Sequence, residues 1–177
     1  MKLIILDRDG VINHESLDYV KSPEEFHIIP GSLKAIALLK KAGFKVAIAT
    51  NQSGIARGYY NEATLTMIHH KLQKKLSRLN TSIDQISFCP HDNKANCDCR
   101  KPKPGMLLAI CEKFSVTPDE SLFIGDSERD MLAAQQIGMP FIFVRSGFGA
   151  ATLEKKPELT QQFKVYDNLL KVIKAIL

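Results

Sequence analysis

Two carboxylates separated by one residue, Asp7 and Asp9, come directly after the apolar run Leu3–Leu6 and before Gly10. Such a run of leucine and isoleucine is typical of a short strand that is buried on both faces. In an open α/β sheet, ligands bind in the crevice outside the carboxyl ends of the strands. Acids after a strand are also ordinary turn residues. The pair therefore predicts a chemical site only if other strand ends carry suitable groups.

Polar residues do follow other apolar runs of the chain. They are Thr50 with Asn51, Asp126 with Asp130 one helical turn later, and Arg100 with Lys101 ahead of a predicted helix. Each one alone has a structural explanation, such as a helix cap, a turn residue or a solvated cation. Parallel strands place their carboxyl ends at one edge of the sheet, so together these groups indicate a single crevice.

Three carboxylates in one crevice repel each other unless a cation lies among them. Oxygen ligands with positions left open for water and phosphate suit Mg²⁺. We expect the ligands to be the side chains of Asp7 and Asp126 and the backbone carbonyl of Asp9. A lysine beside this metal favours a dianionic substrate, which points to phosphoryl transfer.

A second candidate metal site lies in a polar stretch without periodicity. Cys89, His91, Cys97 and Cys99 form the spacing Cys-x-His-x₅-Cys-x-Cys. Four soft or borderline ligands this close together suit a closed, tetrahedral site for structural Zn²⁺. A disulfide is the alternative, which a cytoplasmic location disfavours. Arg100 and Lys101 follow Cys99 directly, so zinc would also hold these two cations where a phosphate can meet them.

Strand-like and helix-like patterns alternate along the chain. Strands are predicted at 3–6, 45–50, 83–88, 121–125 and 141–144, with a short one near 165, and helices at 32–41, 61–79, 104–114, 128–137 and 168–176. This alternation predicts a three-layer, Rossmann-like α/β fold with a mostly parallel central sheet. We expect Cys111 to be a core thiol and the helical His69 and His70 not to be metal ligands.

Composition narrows the class of protein. A chain of 177 residues, 45% hydrophobic and 24% charged, is ordinary for one soluble domain spanning residues 1–177. No segment is apolar enough to be a membrane span or a secretory signal, so we expect a cytoplasmic protein with no membrane partner. No apolar stripe is left over for a protein partner, so we expect a monomer. The net charge of +5 attracts anions. No cluster of aromatic residues accompanies the basic ones, which argues against nucleic acid and for a phosphorylated metabolite.

In chain order, four stretches resemble the motifs of the haloacid-dehalogenase-like (HAD) phosphatases. They are Asp7-Arg8-Asp9-Gly10, Thr50, Lys101, and Gly125-Asp126 with Asp130 in a supporting position. The resemblance runs from Leu3 to about Phe148. It implies that Asp7 attacks phosphorus to form an aspartyl phosphate and that Asp9 is the general acid and base. It also implies that Thr50 and Lys101 bind phosphoryl oxygens and that Asp126 completes the Mg²⁺ site.

The stretch between the first two motifs is too short for a cap domain, so loops must supply specificity. By resemblance and position, the expected substrate contacts are Tyr19, Asn51, Gln52, Ser53 and Arg100. Arg57 has two interpretations, as a further contact or as a structural ion-pair partner.

The zinc loop, residues 50–58 and residues 99–107 resemble the heptose bisphosphate phosphatase branch of this family. The resemblance implies a sugar bisphosphate substrate, with hydrolysis of the 7-phosphate of D-glycero-D-manno-heptose 1,7-bisphosphate in lipopolysaccharide precursor synthesis. The compact loop is also similar to that of the histidinol-phosphate phosphatases, which leaves histidinol phosphate as the alternative. A DNA 3′-phosphatase and a phosphoacceptor receiver domain are more remote. Ser127 departs from the lysine that some heptose phosphatases carry after the fourth-motif aspartate.

Overall fold

The computed structural model describes residues 3–177, and the first two residues of the predicted 1–177 domain lie outside this range. Its strands are β1 (Leu3–Leu6), β2 (Lys45–Asn51), β3 (Gln85–Cys89), β4 (Ser121–Gly125), β5 (Phe141–Val144) and β6 (Lys164–Tyr166). They form one sheet in the order β3-β2-β1-β4-β5-β6, and every neighbouring pair is parallel. The predicted parallel sheet is therefore confirmed, with β1 at its centre.

The helices are α1 (Ser32–Lys41), α2 (Glu62–Ser77), α3 (Gly105–Phe114), α4 (Glu128–Gln135), α5 (Gly149–Lys155), α6 (Leu159–Gln162) and α7 (Leu169–Ile176), with a 3₁₀ turn at Pro118–Glu120. The sequence did not predict α5 and α6, which have only seven and four residues. Helix α2 ends at Ser77, before the predicted 79, and Asn80 adopts a left-handed φ of 51°. No helix in residues 3–177 is both long and apolar enough to cross a membrane.

Strand β3 begins two residues later than predicted, for a reason visible in hydrogen bonding. The backbone N–H and carbonyl of Ile83 pair with the side-chain amide of Gln73, each at 3.0 Å. Ile83 is buried, but its backbone groups face helix α2 and not the sheet. A side-chain amide has replaced the strand ladder at this position.

Alternate side chains of β1 enter two separate cores. Ile4 and Leu6 pack in the core shared with α1, α2 and α7, while Leu3 and Ile5 pack in the core shared with α3 to α6. All four side chains are almost completely buried. Period-two alternation with both faces covered is what a central parallel strand requires. The three-layer α/β architecture is confirmed.

The segment 7–31 between β1 and α1 folds back over the sheet as a flap. The backbone of His14 donates to His27 at 2.8 Å, and that of Ile29 donates to Ile12 at 2.9 Å. Phe26 anchors the flap in the α1–α2–α7 core. No separate cap domain lies among the described residues, as predicted. That the chain is one domain and a monomer stays a prediction.

Candidate active site

Three carboxylates meet where β1 and β4 end. The two strands are neighbours in register, Leu6 beside Ile124, and the backbone N–H of Asp7 donates to the carbonyl of Ile124 at 2.9 Å. Carboxylate oxygens of Asp7, Asp126 and Asp130 lie within 4.8 Å of one another, and all three residues are buried. We call these three side chains the acid cluster. The structure thus brings together the acids Asp7 and Asp126, which were predicted to meet, and Asp130, which was predicted in a supporting position.

Lys101 lies inside this cluster and is only 2% exposed. Its Nζ is 3.0 Å from Oδ1 of Asp7, 2.6 Å from Oδ1 of Asp130 and 2.8 Å from the carbonyl of Ala49. The carbonyl of Ala49 accepts a hydrogen bond from Nζ, and the contacts with Asp7 and Asp130 are ion pairs. Burial lowers the pKa of Lys101, but the charges of Asp130 and Asp7 outweigh burial and the pKa is raised. Lys101 is thus a fixed positive charge that faces acids within the protein.

One ammonium does not offset three buried carboxylates. Burial first, and then the charge of Asp130, raises the pKa of Asp7 to about 7 despite Lys101. The pKa of Asp126 is also raised, again by burial first and then by the charges of Asp130 and Asp7. A further cation among these oxygens would stabilise their ionised forms. The site therefore fits a hard, oxygen-bound ion such as Mg²⁺.

Two glycines make room for Asp126. A Cβ on Gly10 would lie 2.1 Å from its Oδ2, and a Cβ on Gly147 would lie 2.2 Å from the same atom. Both glycines have left-handed φ angles, 82° and 62°, which other residues rarely adopt. The same Oδ2 accepts a hydrogen bond from the backbone N–H of Phe148 at 2.7 Å. Gly10 thus lets the carboxylate of Asp126, at the end of β4, lie close to the backbone that follows β1.

Asp9 lies outside the acid cluster, in a group of hydrogen-bond donors. Asn13 donates to its Oδ1 and Gln52 to its Oδ2, both at 2.8 Å, and Arg8 donates to both oxygens at 2.9 Å. Burial would raise the pKa of Asp9, but the charge of Arg8 and these hydrogen bonds lower it overall. The two aspartates of the first motif therefore occupy opposite electrostatic surroundings.

The last two residues of β2 and the residues that follow them face mainly inward. The buried Oγ1 of Thr50 accepts from Nε2 of Gln52 at 2.8 Å. The side-chain amide of Asn51 pairs with the backbone of Lys101 in both directions, at 2.9 and 3.1 Å. The structure thus places Asn51 and Gln52 against other protein groups, although both line the pocket together with Ser53. Their predicted role as substrate contacts stays a prediction.

Cys89, His91, Cys97 and Cys99 converge in the loop after β3, and we call them the cysteine cluster. Their sulfur and Nδ1 atoms lie 3.2 to 3.6 Å apart in four of the pairs, and all of the chain's cysteines are free. Ligands of a tetrahedral Zn²⁺ lie roughly 3.3 to 3.8 Å from one another, given bond lengths of about 2.0 to 2.3 Å. The geometry fits a metal, and no disulfide competes for the sulfurs.

The same loop holds Arg100. Its Nε donates to Oδ1 of Asn93 at 2.7 Å, and its Nη1 donates to the carbonyl of His91 at 3.1 Å. The position of the Arg100 guanidinium therefore depends on the conformation of the loop that carries the cysteine cluster. Arg100 also lines the same pocket as Asp7.

A pocket of about 320 Å³ opens above the acid cluster. Its walls come from the flap, the loop after β2, the cysteine loop and the start of α4. Residues predicted from the sequence line it: Asp7, Asp9, Tyr19, Thr50, Asn51, Gln52, Ser53, Arg57, Arg100, Lys101 and Asp130. Tyr19, with a left-handed φ of 61°, packs its ring against Tyr59 at a centroid distance of 5.1 Å.

Sequence reasoning missed two charged residues of this pocket, Glu15 and Arg129. Burial first, and then the charges of Asp9 and Asp7, raises the pKa of Glu15 to about 8. The signal for Arg129 was available, because it immediately precedes Asp130 in the fourth motif. Glu15 lies in a loop, residues 13–20, that was expected to supply specificity, but only the fold of the flap shows that this side chain reaches the pocket.

Several known proteins are similar to this chain. The family model described as HAD-hydrolase-like matches residues 98–172. The chain is 48% identical over 178 residues to the D-glycero-beta-D-manno-heptose-1,7-bisphosphate 7-phosphatase of Pseudomonas putida, with all of both chains covered. It is 45% identical to the enzyme of that name from Pseudomonas aeruginosa, over 99% of this chain and 97% of the relative.

A solved structure is similar over nearly the whole fold. It is the D,D-heptose 1,7-bisphosphate phosphatase from B. bronchiseptica complexed with magnesium and phosphate. The TM-score is 0.95 at 44% identity, and the match covers 99% of this chain and 98% of that one. The similarity therefore includes every element that carries the acid cluster and the cysteine cluster.

Proposed function

The chain belongs to the family of D-glycero-beta-D-manno-heptose-1,7-bisphosphate 7-phosphatases among the HAD-like hydrolases, and from this premise we propose how its residues act. It is a phosphatase that removes the 7-phosphate of D-glycero-D-manno-heptose 1,7-bisphosphate. The observation that carries the proposal is the acid cluster with its buried lysine, in a chain 44% identical to an enzyme complexed with magnesium and phosphate.

Asp7 is the proposed nucleophile. Within residues 3–177, the hydrogen bond from the backbone of Arg8 and the ion pair with Lys101 both reach its Oδ1, at 2.7 and 3.0 Å. Oδ2 is thereby left to attack phosphorus. A bond forms between this oxygen and phosphorus, and the bond between phosphorus and the heptose C7 oxygen breaks. The enzyme then carries an aspartyl phosphate.

Asp9 is the proposed general acid and base. Because the pKa of Asp9 is lowered without substrate, it must first take up a proton as the phosphate ester binds. It gives this proton to the departing C7 oxygen, which leaves as an alcohol. It then takes a proton from the water that attacks phosphorus, and the bond from Asp7 to phosphorus breaks. Inorganic phosphate departs and both aspartates regain their starting states. Acid–base help of this kind is typically worth about 10² to 10⁴-fold.

Asp7, Asp126 and the backbone carbonyl of Asp9 are the proposed holders of Mg²⁺. When bound, Mg²⁺ would neutralise charge on the transferring phosphoryl group and keep the carboxylates ionised. Lys101 offsets two of the acids through its ion pairs, and Asp130 holds Lys101 in turn. Thr50 and Lys101 are the proposed contacts of the phosphoryl oxygens.

We propose Zn²⁺ for the cysteine cluster, with a structural role. Its sulfur-rich donor set favours Zn²⁺ over Mg²⁺. By fixing the loop it holds Arg100 at the pocket, where this cation meets the phosphorylated sugar. Tyr19 and Ser53 are further proposed contacts from the flap and the loop after β2.

The test compares Mg²⁺-dependent phosphate release from three substrates by kcat/KM. They are heptose 1,7-bisphosphate, histidinol phosphate and a 3′-phosphorylated oligonucleotide. We expect a clear preference for the heptose bisphosphate, with phosphate lost from C7. A preference for histidinol phosphate would overturn the proposed substrate while leaving the proposed chemistry intact.

A further inference from the structure

Arg8 separates the two catalytic aspartates in the sequence, yet its guanidinium pairs with only one of them. It is completely buried, and Nη2 donates to both oxygens of Asp9 at 2.9 Å while Nε donates to Oδ1 at 3.3 Å. The planar guanidinium is thus used as a rigid fork that sets the plane of one carboxylate. The guanidinium must itself be held in place by other residues.

His69 of helix α2 is in contact with the far side of this guanidinium. Nη1 of Arg8 lies 3.2 Å from Nε2 of His69, and the ring of Phe26 lies under the guanidinium at 5.7 Å. A guanidinium can only donate, so Nε2 must be the unprotonated acceptor and the ring proton must be on Nδ1. Burial first, and then the charge of Arg8, lowers the pKa of His69 to about 3, in agreement with a neutral ring.

Gln52 and Tyr60 fix Asp9 from a second direction. Oε1 of Gln52 accepts from the hydroxyl of Tyr60 at 2.6 Å and from Nη2 of Arg8 at 3.2 Å. Because Arg8 cannot accept, the amide nitrogen must face the other way, toward Oδ2 of Asp9 at 2.8 Å. Both oxygens of Asp9 therefore have assigned donors, and two of these donors, Arg8 and Gln52, have a buried support of their own.

We propose that His69 is a positioning residue: by accepting from Arg8, it keeps the carboxylate of Asp9 turned toward the leaving group. The inference rests on the proposed phosphatase function. Released from this support, the carboxylate would be free to swing toward the acid cluster, where it would serve as one more metal ligand. Misplacement of a catalytic group by about 1 Å can cost about 10²-fold.

The experiment uses leaving-group dependence, which a merely structural role would not move. His69→Leu removes the acceptor, and His69→Gln keeps one at similar reach. The matched control is His70→Leu, because His70 is the exposed neighbour on the same helix. Each protein is assayed with heptose 1,7-bisphosphate, whose alkoxide must be protonated, and with 4-nitrophenyl phosphate, whose phenolate departs without help. The value compared is kcat/KM, which covers the steps up to departure of the leaving group.

We expect His69→Leu to lower kcat/KM about 10- to 100-fold for the heptose substrate and less than about 3-fold for 4-nitrophenyl phosphate. His69→Gln should recover most of the loss, and His70→Leu should match wild type. If His69→Leu does not fold, Tyr60→Phe tests the second support and should show the same selective loss, in smaller degree. Equal losses on both substrates would overturn the inference alone. A wild type that hydrolyses neither substrate would overturn the proposed function and the inference together.

Discussion

The acid cluster and the cysteine cluster reach similar ligand spacing by opposite routes. Asp7 and Asp126 directly follow the neighbouring parallel strands β1 and β4, whose pairing ends at Leu6 and Ile124, and Asp130 is on helix α4. The cysteine cluster has only Cys89 on a strand, and its other members lie on a loop of turns and bends. The acids are buried, whereas the loop ligands after Cys89 are half-buried or exposed.

The two sites therefore differ in the role that a bound metal would have. Sheet hydrogen bonds and Lys101 hold the acids together against their own repulsion, so the fold is organised before Mg²⁺ arrives. Residues 90–104 of the cysteine loop have no strand pairing, and there a bound metal would supply the cross-links that a strand ladder would otherwise provide. We therefore expect Mg²⁺ to control chemistry and Zn²⁺ to control local structure. Four predictions test this contrast.

The largest effect is expected from Asp7→Asn. Loss of the nucleophile should reduce turnover by about 10⁴-fold or more and abolish the trapped phospho-enzyme, since the amide cannot attack phosphorus. Mass spectrometry of the quenched enzyme and phosphate release measure the two effects. Asp18→Asn, at an exposed acid of the flap, is the control and should remain active. Substantial activity in Asp7→Asn would contradict the assignment.

The second largest effect is expected from Gly10→Ala, which should lower activity about 10²-fold and weaken its dependence on Mg²⁺. Its Cβ would lie 2.1 Å from Oδ2 of Asp126, so the acid cluster must rearrange. Gly43→Ala separates this collision from backbone strain, because Gly43 has a similar φ of 83° and open space around it. Titration of activity with Mg²⁺ measures the effect. Similar losses in the two variants would mean that strain, and not the site, is responsible.

Cys97→Ser should have a moderate effect, lowering kcat about 10-fold and removing bound zinc. Arg100 would lose its fixed position, while the acid cluster and the Mg²⁺ dependence should persist. Metal analysis and kinetics check this, with Cys111→Ala as a thiol substitution outside the loop that should retain zinc. A rate unchanged after zinc removal would show that the loop does not position Arg100 for catalysis.

The smallest effect is expected from Asp84→Asn, at the opposite end of the strands. Lys40 at 2.5 Å and the backbone N–H of Val46 at 2.8 Å bind this carboxylate. Burial would raise the pKa of Asp84, but these partners lower it overall. The variant should lose about 1 kcal/mol of unfolding free energy and no activity.

The pH dependence of this loss follows from the sign of the shift. A carboxyl with a lowered folded pKa contributes stability above its unfolded pKa of about 3.9. That contribution disappears as the pH falls through the folded pKa. Denaturant unfolding of wild type and Asp84→Asn should therefore differ by a constant amount near neutral pH and converge in acid. A difference that grows on acidification would contradict the prediction.

The positions of Asp7 and Asp126 could be predicted because each directly follows a buried strand, and that of Lys101 because it precedes the next predicted helix. Apolar runs mark buried strands, and alternation with helices makes the strands parallel, so their carboxyl ends share one edge. The cysteine spacing likewise needs only local sequence. These parts of the fold and site follow from patterns within a few residues.

Other features depend on directions that no local pattern contains. The sequence does not indicate that Arg8 turns away from Asp7 and toward Asp9, because the rotamer is set by His69 and Phe26 from distant segments. Asn51 and Gln52 looked like open loop residues but have buried partners. Helices α5 and α6 are too short to show a period, and tertiary packing decides their conformation.

The pair of hydrogen bonds between Asn51 and the backbone of Lys101 has an evolutionary consequence. It attaches Lys101 to the end of β2 without relying on the eleven positions that separate Cys89 from Lys101. Insertions or deletions in that loop can then accumulate without moving the buried ammonium. The structure thus lets this rim of the pocket change while Lys101 stays attached to the end of β2.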